Sequence, residues 1–406
     1  MRFKNKKIKY CLLCKNRGIQ PVFSLGNLFV SNFVKKKDIK KGIKAPLKLL
    51  YCKNCTLVQL SHIAPQELMY KKFYWYRSGV TKTMALGLQN IFSESLKNVK
   101  LEKDDVILDI GANDGTLLSY YKKKYITIGC EPAKNLQRFL KKNCHYFIDN
   151  FWMKSALDKI LLKNNLKKPK IITAIGMFYD LEEPNKFIKD AADSLHEDGI
   201  FIAQLMCLKS MIKKNDLGNI CHEHIEFYSL KSLKFLFENN GLEIFKIEEN
   251  DINGGSYRIY CRKFNRGSIK LKNENVLKLI EGFVERVKKN KRMTIQFIDK
   301  KIKKNKKIYL YGASTKGNTV LQYYGLDYRK IPLAAERSPE KWGKYTVGTG
   351  IQIISEQKAR KLNPDYFFVT PWGFIKEFVK REKKWLKNGG SFILPFPKFR
   401  LIRFNE

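Results

Sequence analysis

His222-Glu-His224, within Ile220-Cys-His-Glu-His-Ile-Glu-Phe-Tyr-Ser-Leu230, places two of the chain's five histidines and a carboxyl at consecutive positions. An imidazole titrates near neutral pH, so it can take or give a proton there. In an extended segment residues i and i+2 share a side, which puts His222 and His224 together with Glu223 opposite. The i, i+4 spacing of H-E-x-x-H is absent and no third metal ligand stands out, so general acid-base work is the functional reading. The alternative is a hydrogen-bonded structural pair at a domain junction.

Cys11-Leu-Leu-Cys14 and Cys52-Lys-Asn-Cys55 are two C-x-x-C knuckles 37 residues apart. Each knuckle is expected to fold a tight turn that points both sulfurs at one tetrahedral Zn2+. Four thiolates leave no open coordination position, so this metal is structural. The gap is long for a zinc ribbon and must carry strands of its own.

Two strand-glycine-helix corners follow. Val106-Ile-Leu-Asp-Ile-Gly-Ala-Asn-Asp-Gly115 runs an apolar strand into a loop where Gly111 and Gly115 permit close backbone approach to a ligand, and Glu131 ends the next apolar run. A carboxylate there is placed to grip a ribose diol. The loop is not G-x-G-x-x-G, because Asn113 stands where the second glycine would be. The second corner, Ile308-Tyr-Leu-Tyr-Gly-Ala-Ser-Thr-Lys-Gly-Asn-Thr319, offers backbone N–H groups and a helix N-terminus to an anion. Lys316 precedes Gly317, so it is no Walker A loop, and a phosphate-bearing substrate is expected rather than ATP hydrolysis. Asn253-Gly-Gly-Ser-Tyr-Arg258 reads equally as a tight turn or as a close approach with Arg258 on a phosphate. Tyr70, Tyr74, Trp75 and Tyr76 with Arg77-Ser78 form an aromatic cluster whose plain reading is hinge packing.

The elements that must position these residues are those of a multidomain α/β protein. At 406 residues the chain exceeds one ordinary core. Apolar runs at Val106–Ile110, 125–130, Ile171–Ile175 and Ile200–Met206 alternate with helical stretches, the pattern of a parallel sheet with crossover helices. A lysine-rich amphipathic helix is expected over 270–304, with Val276, Leu277, Ile280, Phe283, Val284 and Val287 on its apolar stripe. A further small α/β domain follows. Boundaries are set at 1–80, 81–245 and 246–406.

The formal charge is +41, from 79 Lys+Arg against 38 Asp+Glu. The lysines are scattered, with no arginine-rich aromatic-interleaved stretch, so nucleic acid is not expected as the partner. The basic N-terminus is followed by no apolar segment and no run spans a membrane, which leads to the expectation of a cytoplasmic protein. Nine cysteines in that setting are metal ligands or free thiols.

Asp109-x-Gly111-x-x-x-Gly115 resembles the first motif of class I S-adenosylmethionine-dependent methyltransferases. Together with the cysteine knuckles, Tyr74 to Ser78, His222-Glu-His224 with Tyr228-Ser-Leu, Gly254-Gly-Ser-x-Arg258 and Gly312-x-x-x-Lys316-Gly-x-Thr319, the order of motifs is similar to that of the three-domain sugar C-methyltransferases. The resemblance implies a Rossmann-like central domain between an N-terminal zinc module and a smaller C-terminal α/β domain. It implies S-adenosylmethionine held by Asp109, Gly111, Asn113, Gly115, Glu131, Pro132 and Asp149. It also implies a nucleotide-linked keto-deoxysugar held by Tyr74, Tyr76, Arg258, Lys316, Gly317 and Thr319. His224 would be the base and Glu223 would orient it, with His222, Tyr76 and Tyr179 nearby. The chain departs from the family pattern at Cys221, where a tyrosine is common, and at Gly176-Met-Phe-Tyr179-Asp180, where a histidine is common.

Overall fold

The computed structural model describes residues 5–71, 74–264, 267–272 and 274–404. Residues 1–4 of the basic N-terminus read above lie outside them. The N-terminal strands are β1 (Lys6–Lys7), β2 (Ile19–Phe29), β3 (Phe33–Val34), β4 (Lys44–Cys52), β5 (Val58–Leu60) and β6 (His62–Ile63). β2 and β4 form the long hairpin that fills the gap between the knuckles, as the spacing demanded.

The middle domain runs α1 (Lys82–Asn98), β7 (Val106–Ile110), α2 (Thr116–Tyr121), β8 (Ile126–Cys130), α3 (Lys134–Asn143), β9 (Tyr146–Ile148), α4 (Lys154–Lys163), β10 (Ile171–Ile175), α5 (Pro184–Ser194) and β11 (Ile200–Met206). Then come α6 (Leu208–Lys213), β12 (Glu226–Phe227), α7 (Leu230–Glu238), β13 (Leu242–Asn250) and β14 (Ser256–Lys263). β7 and β11 are buried at every residue, which is why they read as continuous apolar runs rather than alternating ones. Local signals set the helix ends: Pro184 opens α5, and the Ser229 hydroxyl caps α7 by accepting the Ser232 N–H at 3.1 Å.

The seven-stranded sheet has the order β13-β14-β11-β10-β7-β8-β9. β7 to β11 pair parallel, and β14 pairs antiparallel with both β11 and β13. The order reverses between β7 and β10, and the crevice at the carboxyl ends of those two strands is where open α/β sheets hold ligands. The boundary expected at 245/246 falls inside β13. The antiparallel ladder of β13 and β14 covers the edge of β11, so the sheet continues through Lys263.

After α8 (Val276–Ile302), which buries Val276, Ile280, Phe283 and Val287 of the predicted stripe and half-buries Leu277 and Val284, the last domain runs β15 (Ile308–Tyr311), α9 (Thr315–Tyr324), β16 (Leu333–Glu336), β17 (Tyr345–Thr346), β18 (Gln352–Ser355), β19 (Tyr366–Val369), β20 (Ser391–Leu394) and β21 (Arg400–Ile402). Its sheet order is β21-β20-β19-β15-β16-β18-β17-β3. It too reverses, between β15 and β19.

Two strands cross between domains. β3, from the N-terminal module, pairs with β17 and completes the C-terminal sheet. β12, from the middle domain, pairs with β5 and completes the N-terminal sheet. Among the described residues, no helix is long and apolar enough to cross a membrane.

Candidate active site

The switch points of the two sheets open onto one cleft of about 660 Å³. Gly111 after β7 and Gly176 after β10 line one wall; Ser314 to Gly317 after β15 and Thr370-Pro371 after β19 line the other.

On the first wall, Asp109 sits 3% exposed at the end of β7 and accepts the Thr173 hydroxyl at 2.6 Å. Burial pushes its carboxyl up to about 7 against that bond. Glu131 accepts the backbone N–H groups of Asn113 at 2.9 Å and Ala133 at 2.8 Å, and burial likewise raises it to about 7. Gly111 adopts φ 75°, and a Cβ there would lie 2.6 Å from Met177 Cγ. Asp109, Gly111, Asn113, Glu131 and Pro132 all line the cleft. Two buried acids held ready beside a glycine corner suit a ligand with a ribose diol and positive charge, as S-adenosylmethionine has.

A strap from Tyr74 to Val80 covers this wall. Asn113 Oδ1 accepts the Ser78 N–H at 2.9 Å, its amide donates to Tyr76 O, and Asp114 accepts the Gly79 N–H at 2.9 Å. Asn135 exchanges two hydrogen bonds with the Tyr74 backbone. The aromatic cluster is thus a wall of the site, and its Trp75 also packs between parts of the chain, edge-on to Phe33 at 5.1 Å.

The turn carrying His224 stands between the walls. His224 is 4% exposed, and its Nδ1 lies 2.8 Å from Asn219 O. A carbonyl only accepts, so Nδ1 carries the proton and Nε2 keeps its lone pair. Burial, with the Lys316 ammonium, holds the imidazole well below its ordinary 6.5. Tyr179 packs edge-on against it, with ring centroids 4.5 Å apart. Glu223 also lines the cleft and accepts the Thr315 hydroxyl at 2.8 Å. Lys316 Nζ donates to Asn219 Oδ1 at 2.8 Å, and Asn219 Nδ2 to Asp216 at 3.1 Å. One asparagine therefore ties the histidine, the lysine and an acid together.

Several expectations are corrected. The chain turns at 221–224, with His224 N bonded to Cys221 O, so the histidines do not share a side. His222 leaves the cleft, and its Nε2 lies 3.0 Å from Ala45 O in the N-terminal module. Glu223 bonds Thr315 and not His224, whose orientation comes from Asn219. Arg258 is 3% exposed inside the middle sheet, where it binds Gln204, Asn90 and Glu248 and reaches no phosphate site. Thr319 is fully buried against Ser31, one turn into α9. Asp149 is exposed and off the cleft; Phe151, Trp152 and Met153 line it instead. Gly115 caps α2 at φ 75° and packs on α3, where a Cβ would lie 2.7 Å from Asn143 Cβ, so its role is the corner's shape. Tyr74, Tyr76, Tyr179, Lys316 and Gly317 do line the cleft.

Sequence reasoning missed Asp180, Asp216 and Asn219, which line it from short helical turns and their ends, with no recognisable spacing. It also missed Glu336, which ends β16 and accepts the Ala313 N–H at 2.9 Å, the same contact that Glu131 makes at the first corner.

The four knuckle sulfurs meet as predicted. Cys11 and Cys55 Sγ are 3.4 Å apart, Cys14 and Cys52 Sγ 3.5 Å, and all four lie within 4.8 Å of one another. A tetrahedron with bonds of about 2.3 Å has edges of about 3.8 Å, so the set fits zinc.

A seven-stranded sheet of this order, with one antiparallel strand, a glycine corner after the first strand and an acid after the second, is the class I methyltransferase architecture. Models of three protein families match in register with it: "Putative zinc binding domain" over 11–70, "Methyltransferase domain" over 77–247 and "C-methyltransferase C-terminal domain" over 251–397. The C-methyltransferase NovU of Streptomyces niveus is 24% identical over 415 residues, covering 98% of this chain and 97% of that one. The chain belongs to the three-domain S-adenosylmethionine-dependent C-methyltransferases. Among solved structures, magnesium protoporphyrin IX methyltransferase of Synechocystis PCC 6803 is 10% identical with a TM-score of 0.33, over 44% of this chain and 79% of that one. An S-adenosylmethionine-dependent methyltransferase of Clostridium acetobutylicum is 13% identical with a TM-score of 0.33, over 44% and 91%.

Proposed function

We propose that the protein methylates a carbon of a nucleotide-linked keto-deoxysugar, with His224 taking the proton from the carbon beside the ketone. The observation that carries this is a histidine whose Nδ1–H is committed to Asn219 O and whose Nε2 is unprotonated, set between two ligand-binding corners. S-adenosylmethionine at Asp109, Gly111 and Glu131 supplies an electrophilic methyl group. His224 Nε2 accepts the proton, and the electron pair of the broken C–H bond passes into the enolate. The Asn219 carbonyl then bonds the imidazolium that forms. Tyr74, Tyr76 and Tyr179 close the cleft and exclude water, and Lys316 with the N-terminus of α9 meets the diphosphate.

The charge of the cleft supports a small substrate over a nucleic acid. It is lined by nine carboxyl residues and three lysines, the inverse of the whole chain's balance. Lys316 and the N-terminus of α9 can meet one diphosphate there, but the lining offers no run of cations along which a polyphosphate backbone could lie.

The test is incubation of the full chain with S-adenosylmethionine and a panel of nucleotide-linked 4-keto-6-deoxyhexoses. The expected product is a sugar one methyl heavier. In deuterated water with S-adenosylhomocysteine, the carbon beside the ketone should exchange, and His224→Ala should slow that exchange. Methylation of a transfer RNA with none of the sugars would overturn the proposal. Cytoplasmic location belongs to the same reading, since nucleotide sugars and S-adenosylmethionine are cytoplasmic metabolites.

A further inference from the structure

Among the described acids that line the cleft, Asp180 is the one with a buried side-chain oxygen that has no hydrogen-bond partner. It ends the short helical turn Phe178–Asp180 after β10 and lines the cleft, 9% exposed. Its Oδ1 is buried and has no hydrogen-bond partner. The other cleft acids around His224 are occupied. Glu223 holds the Thr315 hydroxyl and Asp216 the Asn219 amide. The nearby cation, Lys316, donates to Asn219 Oδ1 and not to Asp180.

The backbone at this position is fixed from three sides. Gln66 Nε2 donates to Asp180 O, Ile225 N to Tyr179 O at 2.8 Å, and Asp180 N to Met177 O. The carboxyl is therefore delivered to a set place, beside the ring that packs on His224. A buried carboxyl oxygen left without a partner costs free energy unless something outside the chain completes it.

The charge state follows from the groups facing it. Burial is the largest influence, Glu223 adds a like charge, and Tyr70 and Lys316 oppose more weakly; the group is held well above the ordinary carboxylate range. Glu226, Tyr179 and Cys221 also face it and add no cation. Its surroundings therefore favour the protonated form, which has an O–H to give.

We propose that Asp180 is a substrate-facing residue that donates a hydrogen bond to an oxygen of the acceptor sugar, next to the carbon that His224 deprotonates. This rests on the reading of His224 as the base. As that carbon loses its proton, charge gathers on the ketone oxygen, and a preset donor in a dry site strengthens its bond at that moment. A neutral acid suits this role better than a carboxylate, which would repel the same charge.

The test compares wild type with Asp180→Asn and Asp180→Ala, using the full chain. Asparagine keeps a donor of the same shape and carries no charge. Alanine removes it. S-adenosylhomocysteine binding by calorimetry, unchanged in both variants, reports that the fold is intact. The expected result is a kcat for Asp180→Ala lower by about 10²–10³-fold with KM within a few-fold. Asp180→Asn should stay within about tenfold of wild type, as a replacement neutral donor does. Its kcat profile should also lose the alkaline limb that wild type shows when this acid ionises. Asp180→Asn as inactive as Asp180→Ala would mean that a carboxylate is required, for a substrate ammonium for instance, and would overturn the proposal. So would two variants equal to wild type, or a loss confined to KM. If wild type methylates no keto sugar, the reading of the base falls and this proposal with it; if wild type is active and only the variant pattern fails, this proposal falls alone.

Discussion

Asp109→Asn should make the protein more stable, and increasingly so as pH rises. The wild-type carboxyl ionises near 3.8 when the chain is unfolded and is pushed up to about 7 in the fold, chiefly by burial and further by Glu131. Between those values the folded state binds the extra proton, so the folded state loses ground as pH climbs. The cost is absent below pH 4 and complete above pH 7. Three pK units at about 1.4 kcal/mol each make it about 4 kcal/mol at pH 8.5, of which about 2 kcal/mol has developed by pH 5.5. Asparagine keeps an oxygen for the Thr173 hydroxyl and removes the charge, so the variant should gain about 2 kcal/mol on wild type between those two pH values. Calorimetric melting of both proteins at pH 5.5 and 8.5 measures it, and the difference in Tm should widen at the higher pH. The same variant should bind S-adenosylmethionine more weakly, because the ionised acid complements a cationic ligand. A variant that melts below wild type at pH 8.5, or a difference indifferent to pH, would refute the claim that Asp109 is a buried acid held at a cost for its ligand.

Three further outcomes are expected. Asn113→Gly, which suits the φ of 53° at that position, removes the acceptor for the Ser78 N–H; hydrogen exchange there should rise by about 5- to 30-fold, the equivalent of 1–2 kcal/mol, while the Gly79 amide, held by Asp114, reports whether the whole strap lifts. Metal analysis should find about one zinc per chain, and Cys52→Ser or a strong chelator should raise hydrogen exchange at 221–227 through β5 and β12, leaving the β7 core protected. Arg258→Ala should destabilise by about 1–3 kcal/mol, because it takes the buried donors away from Gln204 and Asn90 while Glu248 keeps Lys246 and Tyr260, and should not change KM for the sugar in whatever protein remains folded.

The strands, both glycine corners and the knuckles were legible because each is a local pattern. Val106–Ile110 announces burial on both faces, and C-x-x-C fixes its own turn. Arg258 misled for the opposite reason. Its neighbours in sequence are glycines; Glu248 faces it from the adjoining strand of the hairpin, but Asn90 and Gln204 come from distant elements, and no spacing encodes that. His222 and His224 diverge because the segment turns where alternation assumed it was extended. Asn219 and Asp180 were invisible since an asparagine's three simultaneous bonds, or a carboxyl's lack of one, exist only once the domains have met.

The exchange of β3 and β12 between sheets has a consequence for how such a chain can change. A crossover that replaced residues 1–80 wholesale would strip Phe33–Val34 from the last sheet and leave Glu226–Phe227 facing a foreign edge. Shuffling of intact units, the usual route by which multidomain enzymes acquire new substrates, is thereby closed at these joints. A change of acceptor made by substitution inside the cleft leaves both of these joints intact.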